Sequence, residues 1–464
     1  MRMVKEREIK RGFIMLALFT AGFVGLFSET ALNIALGELS HIFQVSTTAI
    51  QWLATGYFLT LGILVPITGN LMQKFTTRQL FIASLTLSII GTITAVMAPV
   101  FGVLIIARVI QAAGLAIVLP LTQNVIFTIY APNERGGAMG IMGLVILAGP
   151  TLGPTVAGLI LDTLSWHWIF GVTLPVLLFS LLFGYIFIPN LNEVRNTRID
   201  SLSVILSTLG FGGIVYGFSS SGHYGWGSMQ VIGTIVLGLV ALFLFVVRQS
   251  KLESPMLNLT VFKHPQFVLG FTMNSITFFS MLSMLVVLPM YMQVALIVSA
   301  FATGLVLLPG SLLNCILAPP IGRLFDRFGP RAIITPGTLF VVVGYALYSQ
   351  YGTETALWMM VVTHIVMMLG VGLTIGAVQT NTLNALPKRL YPDGIAVTQS
   401  SQQVSGAVGI AIMISILTAK QGVALAEGAT IMAATAAGTS MVFIFSLVLA
   451  VVNVVLSLFL KKTQ

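Results

Sequence analysis

Long uncharged apolar segments recur along the whole chain, and they restrict the fold more than any other feature of the sequence. Each is about 20 residues long, the length that an α-helix needs to cross the hydrocarbon core of a bilayer. Backbone polar groups in hydrocarbon must be paired internally, which favours helices over isolated strands and loops. Only 8% of the 464 residues are charged, against about 25% in soluble domains. The sequence therefore predicts an all-α polytopic membrane protein.

The pattern predicts fourteen membrane spans, numbered one to fourteen in chain order. Their predicted ranges are 13–36, 48–71, 79–98, 101–129, 136–161, 167–189, 201–220, 229–248, 267–292, 299–321, 332–350, 355–386, 395–419 and 434–460. The first run is longer than the apolar core of a signal peptide, so we expect it to be retained as span one.

The loops between these spans differ sharply in charge. Both tails and every second loop together carry 20 of the 22 Lys and Arg residues, whereas the alternate loops carry only Lys420. Since basic loops stay on the cytoplasmic side of a membrane, we expect both termini in the cytoplasm. The net charge of +9 then follows from topology, and no nucleic-acid partner is expected.

The residue types for cofactor chemistry are sparse. Cys315 is the single cysteine, so no intrachain disulfide can form and no metal cluster is expected. The sequence contains no Gly-rich nucleotide loop of the Walker type, which argues against ATP coupling within this chain. We therefore predict no metal, no cofactor and no enzymatic activity.

A short motif occurs twice in the chain. Residues 69–78 (GNLMQKFTTR) and 322–331 (GRLFDRFGPR) share Gly-x-Leu-x-polar-basic-Phe-x-x-Arg, 253 residues apart. Secondary transporters are often built from two parallel repeats of six spans. We therefore predict an N-terminal six-helix half in 1–190, a linker with spans seven and eight in 191–263, and a C-terminal six-helix half in 264–464.

One base and one acid lie inside apolar spans. Arg108 lies in span four, where a charge costs roughly 2.5–3.5 kcal/mol on insertion scales, and Glu29 lies in span one. At 1.5 Å per residue both lie about 10 Å below the outer surface, so the two side chains can meet. Desolvation favours a protonated carboxyl group, whereas a nearby guanidinium favours the ionised form. The pair is a candidate for proton coupling, and the alternative is a static structural ion pair.

Several segments together resemble the fourteen-span drug:proton antiporters of the major facilitator superfamily, over essentially the whole chain. In span four, Arg108, Gln111 and Gly114 match the family signature whose arginine is implicated in proton coupling. Residues 28–36 (SETALNIAL) and 77–81 (TRQLF) are similar to the lincomycin-efflux-like subgroup. Residues 28–36 also resemble the first-span signature of the fourteen-span branch, in which the acid usually stands at the position of Ser28. The shift to Glu29 turns the carboxylate by about 100° around the helix and leaves its role open.

Span five carries the residues that resemble the antiporter signature, which favours exchange over uniport or symport. They are Gly149, Gly153, Pro154 and Gly158. Small residues at a spacing of four allow close helix approach, and prolines bend the helix. Ala157 replaces a glycine that is usual in the family.

The repeated motif resembles the family's cytoplasmic gating loop, in which an acid and several bases latch the inward ends of neighbouring helices. The residues concerned are Gly69, Arg78, Gly322, Asp326, Arg327 and Arg331. In the first copy Gln73 replaces the usual Asp and Thr76 replaces the usual Gly, so we expect a weaker charge latch there. The alternative is that these bases are ordinary loop charges.

Further candidates are single polar or pliable residues. Asp162 and His364 are additional proton-coupling candidates, with an interfacial helix end and a hydrogen-bonded packed histidine as the respective alternatives. The residues predicted for a substrate cavity are Asn33, Gln51, Met284, Tyr291, Gln379 and Asn381. Amides also join helices by hydrogen bonds, and Met and Tyr also pack against neighbours, so both interpretations remain open.

The resemblance implies a proton-coupled antiporter that exports amphiphilic drugs or antibiotics by alternating access across the cytoplasmic membrane of a bacterium. The expected partners are a small amphiphilic substrate, protons and the lipid bilayer. Two alternatives are an exporter of an endogenous metabolite, nucleotide or lipid on the same scaffold, and a non-transporting membrane sensor.

Overall fold

The fold is all-helical in the residues that the computed structural model describes, which are 10–191, 200–252 and 255–462. The first eight helices are α1 (Arg11–Ile42), α2 (Thr47–Ile50), α3 (Trp52–Lys74), α4 (Thr77–Val96), α5 (Phe101–Ile129), α6 (Arg135–Thr163), α7 (His167–Gly171) and α8 (Thr173–Phe187). The other eight are α9 (Ser201–Tyr224), α10 (Met229–Lys251), α11 (Pro265–Val294), α12 (Ala300–Phe328), α13 (Pro330–Tyr348), α14 (Leu357–Asn384), α15 (Tyr391–Ala426) and α16 (Ile431–Ser457). The all-α prediction is confirmed.

The number of spans also agrees with the sequence. Among the described residues, 14 helical segments are long and apolar enough to cross a membrane, with α7 and α8 together forming span six and α2 being too short. Spans one to five are α1, α3, α4, α5 and α6, and spans seven to fourteen are α9 to α16. The chain is a multi-pass membrane protein.

The predicted ends of the spans were less accurate than their number. Span ten was predicted to end at residue 321, but α12 continues to Phe328, so the segment with Gly322, Asp326 and Arg327 is helical and not a loop. Hydropathy marks where a helix leaves the hydrocarbon, which need not be where its hydrogen bonds end. The helix stops at Gly329, whose φ of 84° suits glycine, and Pro330 begins α13.

The first copy of the repeated motif is also largely helical. Gly69 lies inside α3, and Arg78 lies in the first turn of α4. Thr76 is the N-cap of α4 in a capping box: its hydroxyl accepts from the Gln79 backbone N–H, and the Gln79 side chain accepts from the Thr76 N–H. The departure from the family's glycine at Thr76 therefore gives α4 a well-defined start.

The chain divides into two compact units. The first comprises Thr68–Ile129 and the described residues of 1–64 and 148–197; the second comprises Val65–Ile67, Tyr130–Leu147 and the described residues of 198–464. The helix α6 thus contributes its beginning to the second unit and its remainder to the first. The division into halves at 1–190, 191–263 and 264–464 stays a prediction.

Each unit has its own apolar core. In the first unit Phe27 in the middle of α1, Trp166 just before α7 and Phe170 of α7 belong to one buried apolar cluster. In the second unit Tyr345 and Phe443 belong to a larger cluster that joins α11, α13, α14, α15 and α16.

Spans seven and eight form an antiparallel pair, α9 and α10, within the second unit. Asp200 is the N-cap of α9 and accepts two hydrogen bonds from Arg248 at the end of α10, at 2.6 and 2.8 Å. These hydrogen bonds, with those from Ser203, lower the pKa of the Asp200 carboxyl below its usual range. The helix α9 packs along α15, and Trp226 just beyond it donates to the Ser415 hydroxyl at 2.5 Å. The pair is therefore built into the second unit.

Candidate functional site

The first unit contains a buried guanidinium. Arg108, in the middle of α5, is 1% exposed. It donates to the backbone oxygens of Leu53 at 3.3 Å and Ser28 at 3.0 Å, and to that of Glu29 at 3.5 Å. It also lies over the Tyr57 ring, 4.1 Å from its centroid. Arg108 thereby joins α5 to α1 and α3.

The other two residues of the span-four signature support Arg108. Gln111 accepts from the Arg108 guanidinium at 3.2 Å, and it donates to the Thr92 hydroxyl on α4 at 3.0 Å. Gly114 faces α4 so closely that a Cβ would lie 2.6 Å from the Ser84 carbonyl oxygen. The three signature residues therefore join α5 to α1, α3 and α4.

The Glu29 carboxylate lies beside this arginine without an ion pair. Arg108 contacts the backbone oxygen of Glu29, and within the described residues no side-chain ion pair joins the two within 4.0 Å. The Nη2 atom of Arg108 carries two N–H groups, of which one has an acceptor in the described part of the chain. The Glu29 side chain is partly buried.

The glycines of span five pack against α1 in the same unit. A Cβ at Gly149 would lie 2.8 Å from the Leu26 Cβ, and one at Gly153 would overlap the Thr30 hydroxyl. Gly158 has open space around its Cβ position. Pro154 lies within α6, and its side chain is outside the part of the chain that the structure describes. Close packing is thus confined to Gly149 and Gly153 of the four predicted residues in the described structure.

In the second unit the beginning of α6 lies directly against the end of α12. A Cβ at Gly322 would overlap the carbonyl oxygen of Gly136, and one at Gly140 would overlap that of Ala318. Each helix presents two small residues at a spacing of four, which allows the two backbones to touch.

Asp326 of the second motif copy caps α6 at this contact. Its two carboxylate oxygens accept hydrogen bonds from the backbone N–H groups of Gly136 and Gly137, both at 2.8 Å. A carboxylate at a helix N-terminus is stabilised by unpaired N–H groups and by the helix dipole. The acid predicted to latch a neighbouring helix therefore binds the first turn of α6.

Arg135, one residue earlier, is also buried at 2% exposed. It donates to the Asn384 side-chain oxygen at 2.7 Å and to the Tyr391 hydroxyl at 2.9 Å. These partners lie at the end of α14 and the start of α15. The start of α6 is thus bound to three helices of the second unit by charge-assisted hydrogen bonds.

The bases of the repeated motif point to other partners. Arg78 donates to the Tyr185 backbone oxygen at 2.6 Å and lies over the Tyr185 ring. Arg331 donates to the backbone oxygen of Leu458, and Arg327 is exposed and lies near the Phe328 ring. Arg78 therefore joins α4 to α8, whereas Arg331 joins α13 to the end of α16.

An apolar cavity with a volume of about 70 Å³ lies in the second unit. Its walls come from the start of α6, from α11, from α12 and from α14, and they include Met139, Phe278, Ile321 and Phe325. Gln379, one of the residues predicted for substrate binding, also lines the cavity.

Comparison with known proteins identifies the family. The family model of the Major Facilitator Superfamily matches residues 18–410. The chain belongs to the major facilitator superfamily. It is 47% identical to the lincomycin resistance protein LmrB of Listeria monocytogenes, over 97% of both chains. It is 45% identical to LmrB of Bacillus subtilis, over 97% of this chain and 96% of the relative.

Solved structures agree on the fold. The human organic anion transporter MFSD10 matches with a TM-score of 0.67 and 12% identity, over 97% of this chain and 99% of that chain. The proton:xylose symporter XylE matches with a TM-score of 0.67 and 13% identity, over 98% and 96%. The chain therefore has the major facilitator fold, which is a scaffold of transporters and not of enzymes.

The remaining predicted residues of this major facilitator protein lie in varied surroundings. Asn33, Gln51 and Asp162 are exposed in the first unit. Met284 and Tyr291 are buried in the core of the second unit, where the Tyr291 hydroxyl donates to the Gly352 backbone oxygen. Their assignment to a substrate cavity or to proton coupling stays a prediction.

Asn381 and His364 are buried in α14 of this transporter. The Nδ1 atom of His364 lies 3.2 Å from the Tyr348 hydroxyl, and its Nε2 atom has no partner in the described residues. The assignment of His364 to proton coupling stays a prediction.

Sequence reasoning missed Arg135, which it counted as an ordinary loop base, and the pair Gly136 and Gly140. The signal available was the order Arg-Gly-Gly-x-x-Gly directly at the start of a span. It indicates a close helix contact, although it does not name α12 as the partner.

Proposed function

We propose that this major facilitator protein is a proton-coupled antiporter that exports amphiphilic drugs or antibiotics by alternating access. Two relatives that cover nearly the whole chain are named lincomycin resistance proteins, which supports an antibiotic as substrate. The protein is then a component of a bacterial plasma membrane, with both termini on the cytoplasmic side, as the distribution of Lys and Arg favours.

The observation that carries proton coupling is the unpaired Glu29 carboxylate beside the buried Arg108. The backbone oxygens of Leu53, Ser28 and Glu29 and the Gln111 side chain hold the guanidinium in place. Its position therefore does not depend on the Glu29 carboxylate. One N–H of Arg108 therefore remains for an ionised Glu29 to use or release. When a proton neutralises Glu29, this attraction is lost, and α1 is no longer drawn towards α5 by charge.

Alternating access follows if the two protonation states of Glu29 favour different arrangements of α1 and α5. At Gly149 and Gly153, small residues bring α6 close to α1. Small residues allow helices to slide without large side chains interlocking. One movement of α1 then accompanies both the binding of a proton from the outside and the release of the drug to the outside.

The test uses the full-length protein in liposomes whose lumen is more acidic than the medium. Protons then leave the vesicle, and an antiporter takes radiolabelled lincomycin in. We expect uptake to vanish when a protonophore is added. Glu29→Gln should abolish this gradient-driven uptake, because a neutral amide neither binds a proton nor pairs as an anion.

The matched control is Glu38→Gln, since Glu38 is an exposed acid on the same helix. It should retain wild-type uptake. Undiminished uptake by Glu29→Gln in correctly inserted protein would overturn the role of Glu29. Absence of gradient-driven uptake by the wild type, across lincomycin and a panel of other amphiphiles, would overturn the proposed function.

A further inference from the structure

The cavity of the second unit has walls that favour an uncharged part of a ligand. Among its described lining residues none is Asp, Glu, Lys, Arg or His. Five glycines of α6 and α14 and the side chains of Met139, Met142, Phe278 and Met281 form much of the wall. Methionine side chains adapt to ligands of different shape. A bare charge in these walls would lose its hydration without a counter-charge, which is costly.

One lining residue offers an unused hydrogen-bond acceptor. Asn314, midway along α12, is 1% exposed, and its Oδ1 atom has no partner among the described residues. Its Nδ2 atom makes one weak contact, 3.8 Å from the sulfur of Met368. A buried amide oxygen without a partner is unfavourable in a packed bundle, and such groups usually have a reason.

Gly372 lies directly beside this oxygen. A Cβ at position 372 would lie 2.5 Å from Asn314 Oδ1, and Gly372 itself lines the cavity. Any residue with a side chain at position 372 would collide with this oxygen, so glycine is needed where Asn314 meets the cavity wall. The two residues together form a polar point in an otherwise apolar wall.

We propose that this cavity is a substrate subsite in which Asn314 Oδ1 accepts a hydrogen bond from an N–H or O–H group of the substrate. The part of the substrate that occupies the cavity is uncharged and apolar, with one donor directed at α12. This inference rests on the proposed export function, because it assigns the class of substrate and a specificity-determining residue for it.

The first test is equilibrium binding to the purified full-length protein in detergent. The probes are dansyl n-butylamide and its N-methyl derivative, which are both uncharged near neutral pH and differ in one donor. Dansyl fluorescence rises in apolar surroundings and reports binding. We expect the N–H probe to bind about tenfold more tightly, although the N-methyl probe is the more hydrophobic one.

Two variants separate the hydrogen bond from a change in folding. Asn314→Leu should remove the preference by weakening the N–H probe to the affinity of the N-methyl probe. Asn274→Leu removes another buried amide of the second unit that does not line this cavity, and it should retain the preference. Equal binding of both probes to the wild type, or a preference that survives Asn314→Leu, would overturn the proposal.

The second test reports the location of the probe. Cys315→Ser removes the single cysteine, and Ile375→Cys then places one thiol on the cavity wall. Saturating dansyl n-butylamide should slow the reaction of this thiol with a neutral maleimide. Unchanged labelling with the probe bound would place the ligand elsewhere and overturn the subsite.

These readouts are independent of proton coupling. The proposed export function would be overturned if the wild type preferred the N–H probe and the probe protected the thiol of Ile375→Cys, but no gradient-driven transport occurred. Gradient-driven transport with equal binding of the two probes would overturn the subsite alone.

Discussion

Gly322 is the residue at which α12 and α6 come closest in the second unit. A Cβ there would overlap the Gly136 carbonyl oxygen, which belongs to a helix backbone and cannot rotate away. Gly322→Ala should therefore lower stability by about 1–3 kcal/mol, as overpacking does. The midpoint of thermal unfolding in detergent measures the effect. Gly304→Ala on the same helix is the control, because nothing lies within 4 Å of that Cβ position. Equal midpoints for the two variants would contradict the close approach.

The burial of Arg135 could not be predicted from its place in the sequence. A base between two spans fits the positive-inside rule, and that rule contains no information about burial. Burial becomes evident only when Asn384 and Tyr391, about 250 positions later, lie against it. By contrast, Arg108 stood out at once, since no loop rule accounts for a base in the middle of an apolar span.

At the scale of helices, Asp200 and Arg248 close the pair α9 and α10. The pKa of Asp200 is lower in the folded protein than in the unfolded chain, where it is about 4. The stability that the ionised carboxylate contributes is therefore fully present above about pH 4 and is lost only as the pH falls through the pKa of the folded state. Asp200→Asn should therefore lower the unfolding midpoint by the same few degrees at every pH from 5 to 8. Thermal unfolding of both proteins across this range measures the difference. A difference that shrinks steadily between pH 8 and pH 5 would contradict the assignment.

The ends of the helices depend on capping groups as well as on hydropathy. The Thr76 and Gln79 pair at the start of α4 is visible in the sequence as a capping box, whereas the cap of α6 is the distant Asp326. The first type of cap is local and predictable. The second type depends on the packing of α12 against α6. The sequence therefore shows that Asp326 is an acid but does not predict that it caps α6.

For the whole molecule, hydropathy was sufficient to predict fourteen spans and the all-α fold, because each span satisfies its own backbone. The family motifs indicated Arg108, Gln111 and Asp326, since each motif preserves residue types at fixed spacing. The cavity near Asn314 and Gly372 was not predictable, because its walls come from helices far apart in the chain. Non-local packing is what a single sequence does not reveal.

Orientation in the membrane is a property of the entire chain, and the charge distribution predicts it. Both tails are basic, and of the 22 Lys and Arg residues only Lys420, near the end of α15, lies on the predicted outward side. Fluorescent protein fused to the C-terminus should therefore fluoresce, whereas alkaline phosphatase fused there should be inactive because it folds only outside the cytoplasm. Alkaline phosphatase fused after Glu427, between α15 and α16, should be active, since one further span separates that point from the C-terminus. The reverse pattern would place the tails outside and would invert the direction of transport that the Glu29 mechanism assigns to the proton.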